Sequence, residues 1–186
     1  MPKTPASRCL TNRSSAAKET FELMNLRIEP VIPDDRLTVR VIYEEGIATG
    51  MGTFETPVPS WKEWNVTRLP HSRFVAREEA IVGWAALTPI SKRACYAGVA
   101  EVGIYIRSSA RGRGVGRLLL QAIIDSSEAH GIWTLQGATI AENAASPALQ
   151  RSCGFRIVGR RERIGKLAGV WRDTILTERR SMKAGI

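Results

Sequence analysis

The chain has 186 residues, enough for one domain that buries about 70% of the surface its unfolded form would expose. Apolar residues make up 44% and charged residues 24%, which is unlike a disordered or membrane chain, and no apolar run reaches the roughly 18 residues of a membrane-spanning helix. A formal charge of +9 points to anionic partners, while three cysteines without a CxxC pair exclude a disulfide framework and fit a reducing cytoplasm.

Residues 1–23 are basic and rich in Ser and Thr, without the apolar core and cleavage site of a secretory signal; they are expected to be a disordered tail ahead of a domain spanning 24–182. "MNLRIEPV" reads as a first strand. In "PDDRLTVRVIYEEGIA" a helix is expected to open at Pro33, with Asp34 and Asp35 in its first turn at the positive end of the dipole. "TGMGTFETPVPSWKEW" is broken by Gly50, Gly52, Pro57 and Pro59, and reads as a loop leading to a short helix with Trp61 and Trp64. "RFVAREEAIVGWAALTPI" predicts a hairpin turning at Glu78, Glu79 and Ala80, and "YAGVAEVGIYI" a further strand.

"VGRLLLQAIIDSSEAHG" aligns Val115, Leu118, Leu119, Ala122 and Ile123 on one helical stripe, ended by Gly131. "IWTLQGATI" follows as a strand and "NAASPALQRSC" as a short helix capped by Asn143. "GFRIVGRRERIGKLAGVWRDTILTERR" then reads as two strands joined through "GKLAG". The order β α α β β β α β α β β, without a repeat, predicts one α/β domain around a mixed, mostly antiparallel sheet flanked by helices.

The stretch "YIRSSARGRGVGRLLLQAII" joins a strand to a helix through glycines 112, 114 and 116. Such a junction offers free amides and a helix dipole to an anion, phosphate above all. A P-loop is excluded because no GK[ST] follows, and the GxGxxG spacing of dinucleotide folds is absent. Gly114 and Gly116 are expected in the first helical turn, where each costs roughly 0.8–1 kcal/mol against alanine, a cost that makes sense if a ligand approaches the backbone closely.

"RGRGVG" resembles the [Q/R]xxGx[G/A] motif of the GNAT superfamily of acetyl-CoA-dependent N-acetyltransferases, and "ENAASPALQRSCGF" resembles that family's Asn-containing helix and Gly-Phe strand entry. "GTFET", "YAGVAEVGIYIRSSARGRGVG" and "VGRRERIGKLAGVWRDTIL" are similar to the phosphinothricin acetyltransferase group, whose members acetylate the α-amine of glutamate-like or methionine-sulfoximine-like amino acids. The resemblance implies a GNAT fold and acetyl-CoA as co-substrate, with no metal. Its pyrophosphate would be gripped by Arg111, Gly112, Arg113, Gly114, Val115, Gly116 and Arg117. Backbone amides around Gly103, with Ile104, Tyr105 and Ile106, would polarise the acetyl carbonyl, and Asn143 and Ser146 would meet the cofactor arm. A homodimer is also expected, with neither nucleic acid nor a membrane as partner.

Acyl transfer to an amine needs a base, and Glu101 lies inside an apolar strand on one face with Gly103 and Tyr105. A salt-bridged edge glutamate is the bland alternative; the phosphinothricin group has its catalytic glutamate at this position. Phe54 and Glu55 match the group's pocket loop. Arg93 is a candidate anchor for a substrate carboxylate, or equally a solvated loop residue. At Gln150 the group usually carries histidine, and many other GNAT enzymes a thiolate-protonating tyrosine; glutamine has no such proton to give. Rival readings are an acetyltransferase for a polyamine, an aminoglycoside or a protein N-terminus, and a non-catalytic acyl-CoA or nucleic-acid binding module.

Overall fold

The computed structural model describes residues 25–186, so the tail assigned to 1–23, Cys9 included, lies outside the described residues. Strands and helices follow one another in the order expected. They are β1 (Arg27–Pro30), α1 (Arg36–Ala48), α2 (Trp61–Thr67), β2 (Arg73–Arg77), β3 (Ile81–Pro89), β4 (Val99–Ile106), α3 (Val115–Ala129), β5 (Thr134–Ile140), α4 (Ala145–Ser152), β6 (Arg156–Leu167) and β7 (Val170–Arg180). The strands form one mixed seven-stranded sheet in the order β1-β2-β3-β4-β5-β7-β6. Every neighbouring pair is antiparallel except β4 and β5. Ala168 and Gly169 both take positive φ (48° and 79°), the geometry of a two-residue turn between β6 and β7.

Alternation along the strands divides the core between two faces. Ala85, Leu87, Ala100 and Val102 pack with Leu119, Leu120 and Ile123 of α3, while Trp84, Ala86 and Val75 pack with Val39, Ile42 and Tyr43 of α1 and Trp64 of α2. Each fully buried aliphatic or aromatic side chain contributes roughly 1.5–3 kcal/mol, so both layers hold the central strands β3 and β4 in place. Helix α4 packs beside α3 and onto β5, β6 and β7.

Three local expectations are corrected. Pro33–Asp35 forms a 3-10 turn and α1 begins at Arg36, because the buried Asp35 carboxylate accepts the Ile32 N–H at 3.0 Å and pairs with Arg77 at 2.7 Å. The buried stripe of α3 is Val115, Leu119, Leu120, Ile123 and Ile124, whereas Leu118 is exposed; the helix faces both the sheet and α4, which turns its apolar centre by about one position. Gly114 precedes the helix rather than entering it, with φ 82° at the N-cap.

Candidate active site

Strands β4 and β5 pair only from Val99–Thr134 to Glu101–Gln136, after which β4 stays with β3 and β5 with β7. Arg107 N–H donates to Val82 C=O at 2.9 Å, which sets the ladder so that odd-numbered residues of β4 turn their amides to β3. Ile104 and Ile106 therefore turn theirs into the gap that opens beside β5.

On the α1 face, Gly103 of β4 lies opposite Ala86 of β3, with Glu101 and Thr88 at one end and Tyr105 and Trp84 at the other. A Cβ added at Gly103 would come no nearer than 3.8 Å to Ala86 O or to the Tyr105 ring, so the small pair leaves a hollow. Tyr105 stacks on Trp84 with centroids 4.6 Å apart, and a Cβ at Gly46 of α1 would lie 2.6 Å from the Tyr105 ring, so α1 can pack there only as glycine. Burial pushes the Tyr105 phenol well above its usual range, and the Tyr43 ring stands edge-on to it at 4.6 Å.

Glu101 is half-buried, and burial raises its carboxyl above the usual range; the Gln136 amide, donating to Oε2 at 3.3 Å, and the positive charge of Arg161 on β6 act in the opposite direction. The α1–α2 loop reaches the same region. The Phe54 ring packs on Gly165 of β6, 2.8 Å from where a Cβ would stand.

Beyond β4 the chain makes a short 3-10 turn, then passes Gly112 (φ 75°) and Gly114 (φ 82°) into α3. Among the described residues, the amides of Gly112, Gly114, Val115 and Gly116 take no backbone partner, so the helix opens on a run of outward-facing donors. Arg113 is turned to Glu78 at 2.6 Å, while Arg111 and Arg117 are exposed, with Arg111 Nε donating to Ile106 C=O at 3.2 Å. A phosphate-bearing ligand fits this loop through its amides and the helix dipole. Among the described residues, no group of three or more His, Cys, Asp or Glu side chains is disposed to hold a metal ion.

Gln150 of α4 is buried over Gly137 of β5, a position that points to the α3 face, opposite to Glu101 and Gln136. Its Oε1 accepts from the Thr177 hydroxyl, and its Nε2 donates to Ser146 Oγ at 3.4 Å, which in turn meets Thr139 Oγ1 at 3.2 Å. Asn143, one residue ahead of the Ala144 N-cap of α4, accepts the Ser146 N–H on Oδ1 at 3.3 Å, and its Nδ2 donates to Met51 C=O at 3.4 Å.

The Acetyltransferase (GNAT) family model matches residues 37–155. The chain belongs to the GNAT family. It is 31% identical to the phosphinothricin N-acetyltransferase of Alcaligenes faecalis, over 82% of this chain and 81% of that protein. It is also 31% identical to the L-methionine sulfoximine/L-methionine sulfone acetyltransferase of Pseudomonas aeruginosa, over 73% of this chain and 83% of that one. The crystal structure of a GNAT superfamily phosphinothricin acetyltransferase from Sinorhizobium meliloti in complex with acetyl-CoA superposes with a TM-score of 0.79 at 26% identity, covering 87% of this chain and 91% of that one. The protein is thus an acetyl-CoA-dependent N-acetyltransferase with the GNAT fold.

Within this GNAT enzyme the predicted residues fall into two groups. Glu101, Ile104, Tyr105, Ile106 and the 111–117 loop follow one another along β4 and into α3, while Asn143, Ser146 and Gln150 come together at α4 after β5, with Gln150 buried against Gly137 and Thr177. Arg93 stands apart: it is exposed at the turn before β4, with its guanidinium 5.6 Å from the Tyr96 ring. Glu55 is exposed on the α1–α2 loop. Gln136, Arg161, Thr177, Tyr43 and Arg68 went unnoticed in the sequence, because only strand register and helix packing bring them to this region.

Gln150 is also a structural residue. Gln150→Leu removes two hydrogen bonds and leaves the Thr177 and Ser146 hydroxyls facing an apolar side chain, so we expect a loss of about 1–3 kcal/mol in urea unfolding. An unchanged midpoint would contradict this role.

Proposed function

We propose that the enzyme acetylates the α-amine of a small amino acid of the phosphinothricin or methionine-sulfoximine kind. The observation that carries the reading is Glu101, a half-buried carboxylate with a raised pKa at one end of the Gly103 hollow, beside a gap lined by the free amides of Ile104 and Ile106. The two curated relatives named for such amino acids support the choice of substrate.

Bound acetyl-CoA supplies a thioester, whose carbonyl carbon the free amine attacks directly. The amides of residues 112–116 hold its pyrophosphate, with Arg111 and Arg117 near at hand and Arg113 braced by Glu78. Glu101 takes the proton from the ammonium form of the substrate, a role worth roughly 10²–10⁴-fold. The amides of Ile104 and Ile106 stabilise charge developing on the carbonyl oxygen. Asn143 and Ser146 face the cofactor arm from the β5 side. Gln150 has its oxygen committed to Thr177 and cannot give up a proton, so the leaving sulfur is served by neutral hydrogen-bond donors. Phe54 and Glu55 on the α1–α2 loop bound the substrate side.

The test is coenzyme A thiol release from acetyl-CoA across a panel of L-amino acids. Release with phosphinothricin or methionine sulfoximine is expected, and silence across the panel would remove the substrate assignment.

A further inference from the structure

Arg68 and Arg73 flank the Trp64 ring, with their guanidinium carbons 4.9 and 5.6 Å from its centroid, yet their surroundings differ. Arg73 is fully engaged: it donates to Leu69 C=O, to Asn65 Oδ1 and C=O, and to Arg68 C=O at 2.8 Å. This is an arginine that ties a loop together. Arg68 uses one terminal nitrogen, which donates to Thr67 Oγ1 at 2.9 Å and to Trp64 C=O at 3.4 Å, and it forms no ion pair among the described residues.

The rest of the guanidinium faces aromatic rings, lying 5.7 Å from Trp84 and 6.0 Å from Tyr43, whose hydroxyl also meets it. Burial lowers its pKa, while Tyr43, Tyr105 and Glu55 act in the opposite direction. Aromatic faces offset part of that cost, but a desolvated cation is best compensated by an anion. Glu55, whose charge acts on it, is exposed on the α1–α2 loop and makes no ion pair with it.

The position of this cation in the site is specific. Trp84 and Tyr43 are the rings against which Tyr105 packs, so Arg68 stands at the Tyr105 end of the Gly103 hollow, with Glu101 at the other. The two ends are four residues apart along β4, about 13 Å between Cα atoms at the usual strand rise, a span that the inward-leaning side chains shorten. An amino acid with its α-amine at Glu101 keeps its α-carboxylate close to that amine. Only the far end of its side chain extends toward Arg68.

We propose that Arg68 is a specificity-determining residue that reads an anionic group, phosphinate or carboxylate, at the side-chain end of the amino-acid substrate. This rests on the amino-acid reading above. A planar guanidinium held on ring faces can offer paired N–H groups to two oxygens, which a lysine ammonium cannot match.

The experiment compares kcat/KM for L-phosphinothricin, with its anionic side chain, and for L-methionine sulfone, with a neutral one, at saturating acetyl-CoA. Arg68→Met is expected to lower the phosphinothricin-to-sulfone ratio by about 10- to 100-fold, mainly through KM for phosphinothricin, and Arg68→Lys to restore part of it. Circular dichroism and KM for acetyl-CoA check that the fold and the donor site survive. An equal loss for both substrates, or an unchanged ratio, would overturn the assignment and leave Arg68 a packing residue. If the wild-type enzyme acetylates neither amino acid, the substrate reading fails and this inference falls with it.

Discussion

Glu101→Gln should lower kcat by about 10²- to 10⁴-fold while coenzyme A still binds, because the substitution removes the proposed base and keeps its shape. Gln136 donates to Glu101 Oε2 in the native enzyme, and a glutamine oxygen can accept the same bond. The hollow over Gly103 and the amides of Ile104 and Ile106 stay as they are. A second readout follows from the raised pKa of Glu101, which burial causes. The acid limb of kcat/KM against pH should have its midpoint above the ordinary carboxylate range, and Glu101→Gln should abolish that limb.

Stability should move the opposite way to activity. A carboxyl whose folded pKa lies above its unfolded value favours the fold while protonated, and that contribution disappears as pH rises through the folded pKa. The wild type therefore carries a desolvated charge at neutral pH that the glutamine variant lacks, and Glu101→Gln should unfold at an equal or higher temperature there. Full activity in this variant, or an unaltered pH profile, would rule Glu101 out as the base.

Gly114→Val should raise both KM for acetyl-CoA and Kd for coenzyme A by about 5- to 30-fold. Gly114 sits at φ 82° at the N-cap of α3, where any L-residue is strained by roughly 1–2 kcal/mol and a β-branched one by more. Relaxation of that strain turns the amides of Gly112 to Gly116 away from a common anion. Gly116 offers a contrast inside the same motif. Its φ is ordinary, and a Cβ there would meet Leu149 Cδ2 at 3.0 Å, so Gly116→Ala sets a gain of about 1 kcal/mol in helix propensity against a small shift of one flexible side chain. Titration calorimetry with coenzyme A separates the two, and a Gly114→Val enzyme with native affinity would contradict the loop's role.

Local signals in the sequence sufficed for the element order, since strands, helices and turns here obey short-range rules. Pro57 and Pro59, the Glu78–Ala80 turn and the apolar periods of β3 and β4 all name their own conformation. The glycine loop and Glu101 stood out for the same reason: strand, loop and carboxylate lie in one continuous segment. What escaped notice depends on register and on packing between distant elements. Gln136 meets Glu101 only because β5 pairs in parallel with β4 at that residue. Arg68 looks like any surface arginine until α2 brings it over Trp84 and Tyr43. The apolar stripe of α3 was displaced because one helix serves two neighbours, a demand that periodicity alone does not carry. Gln150 stood out as a departure from the family pattern, but its commitment to Thr177 required the β5–β7 pairing.

The central claim is that an amino-acid α-amine receives the acetyl group. A single competition tests it: acetyl-CoA and the enzyme are mixed with equal concentrations of L-phosphinothricin, L-methionine sulfone, spermidine and a peptide with a free N-terminus, and the acetylated products are identified by mass spectrometry. Acetyl on the α-nitrogen of the two amino acids is the predicted result; acetyl on spermidine or the peptide, with both amino acids untouched, would contradict it.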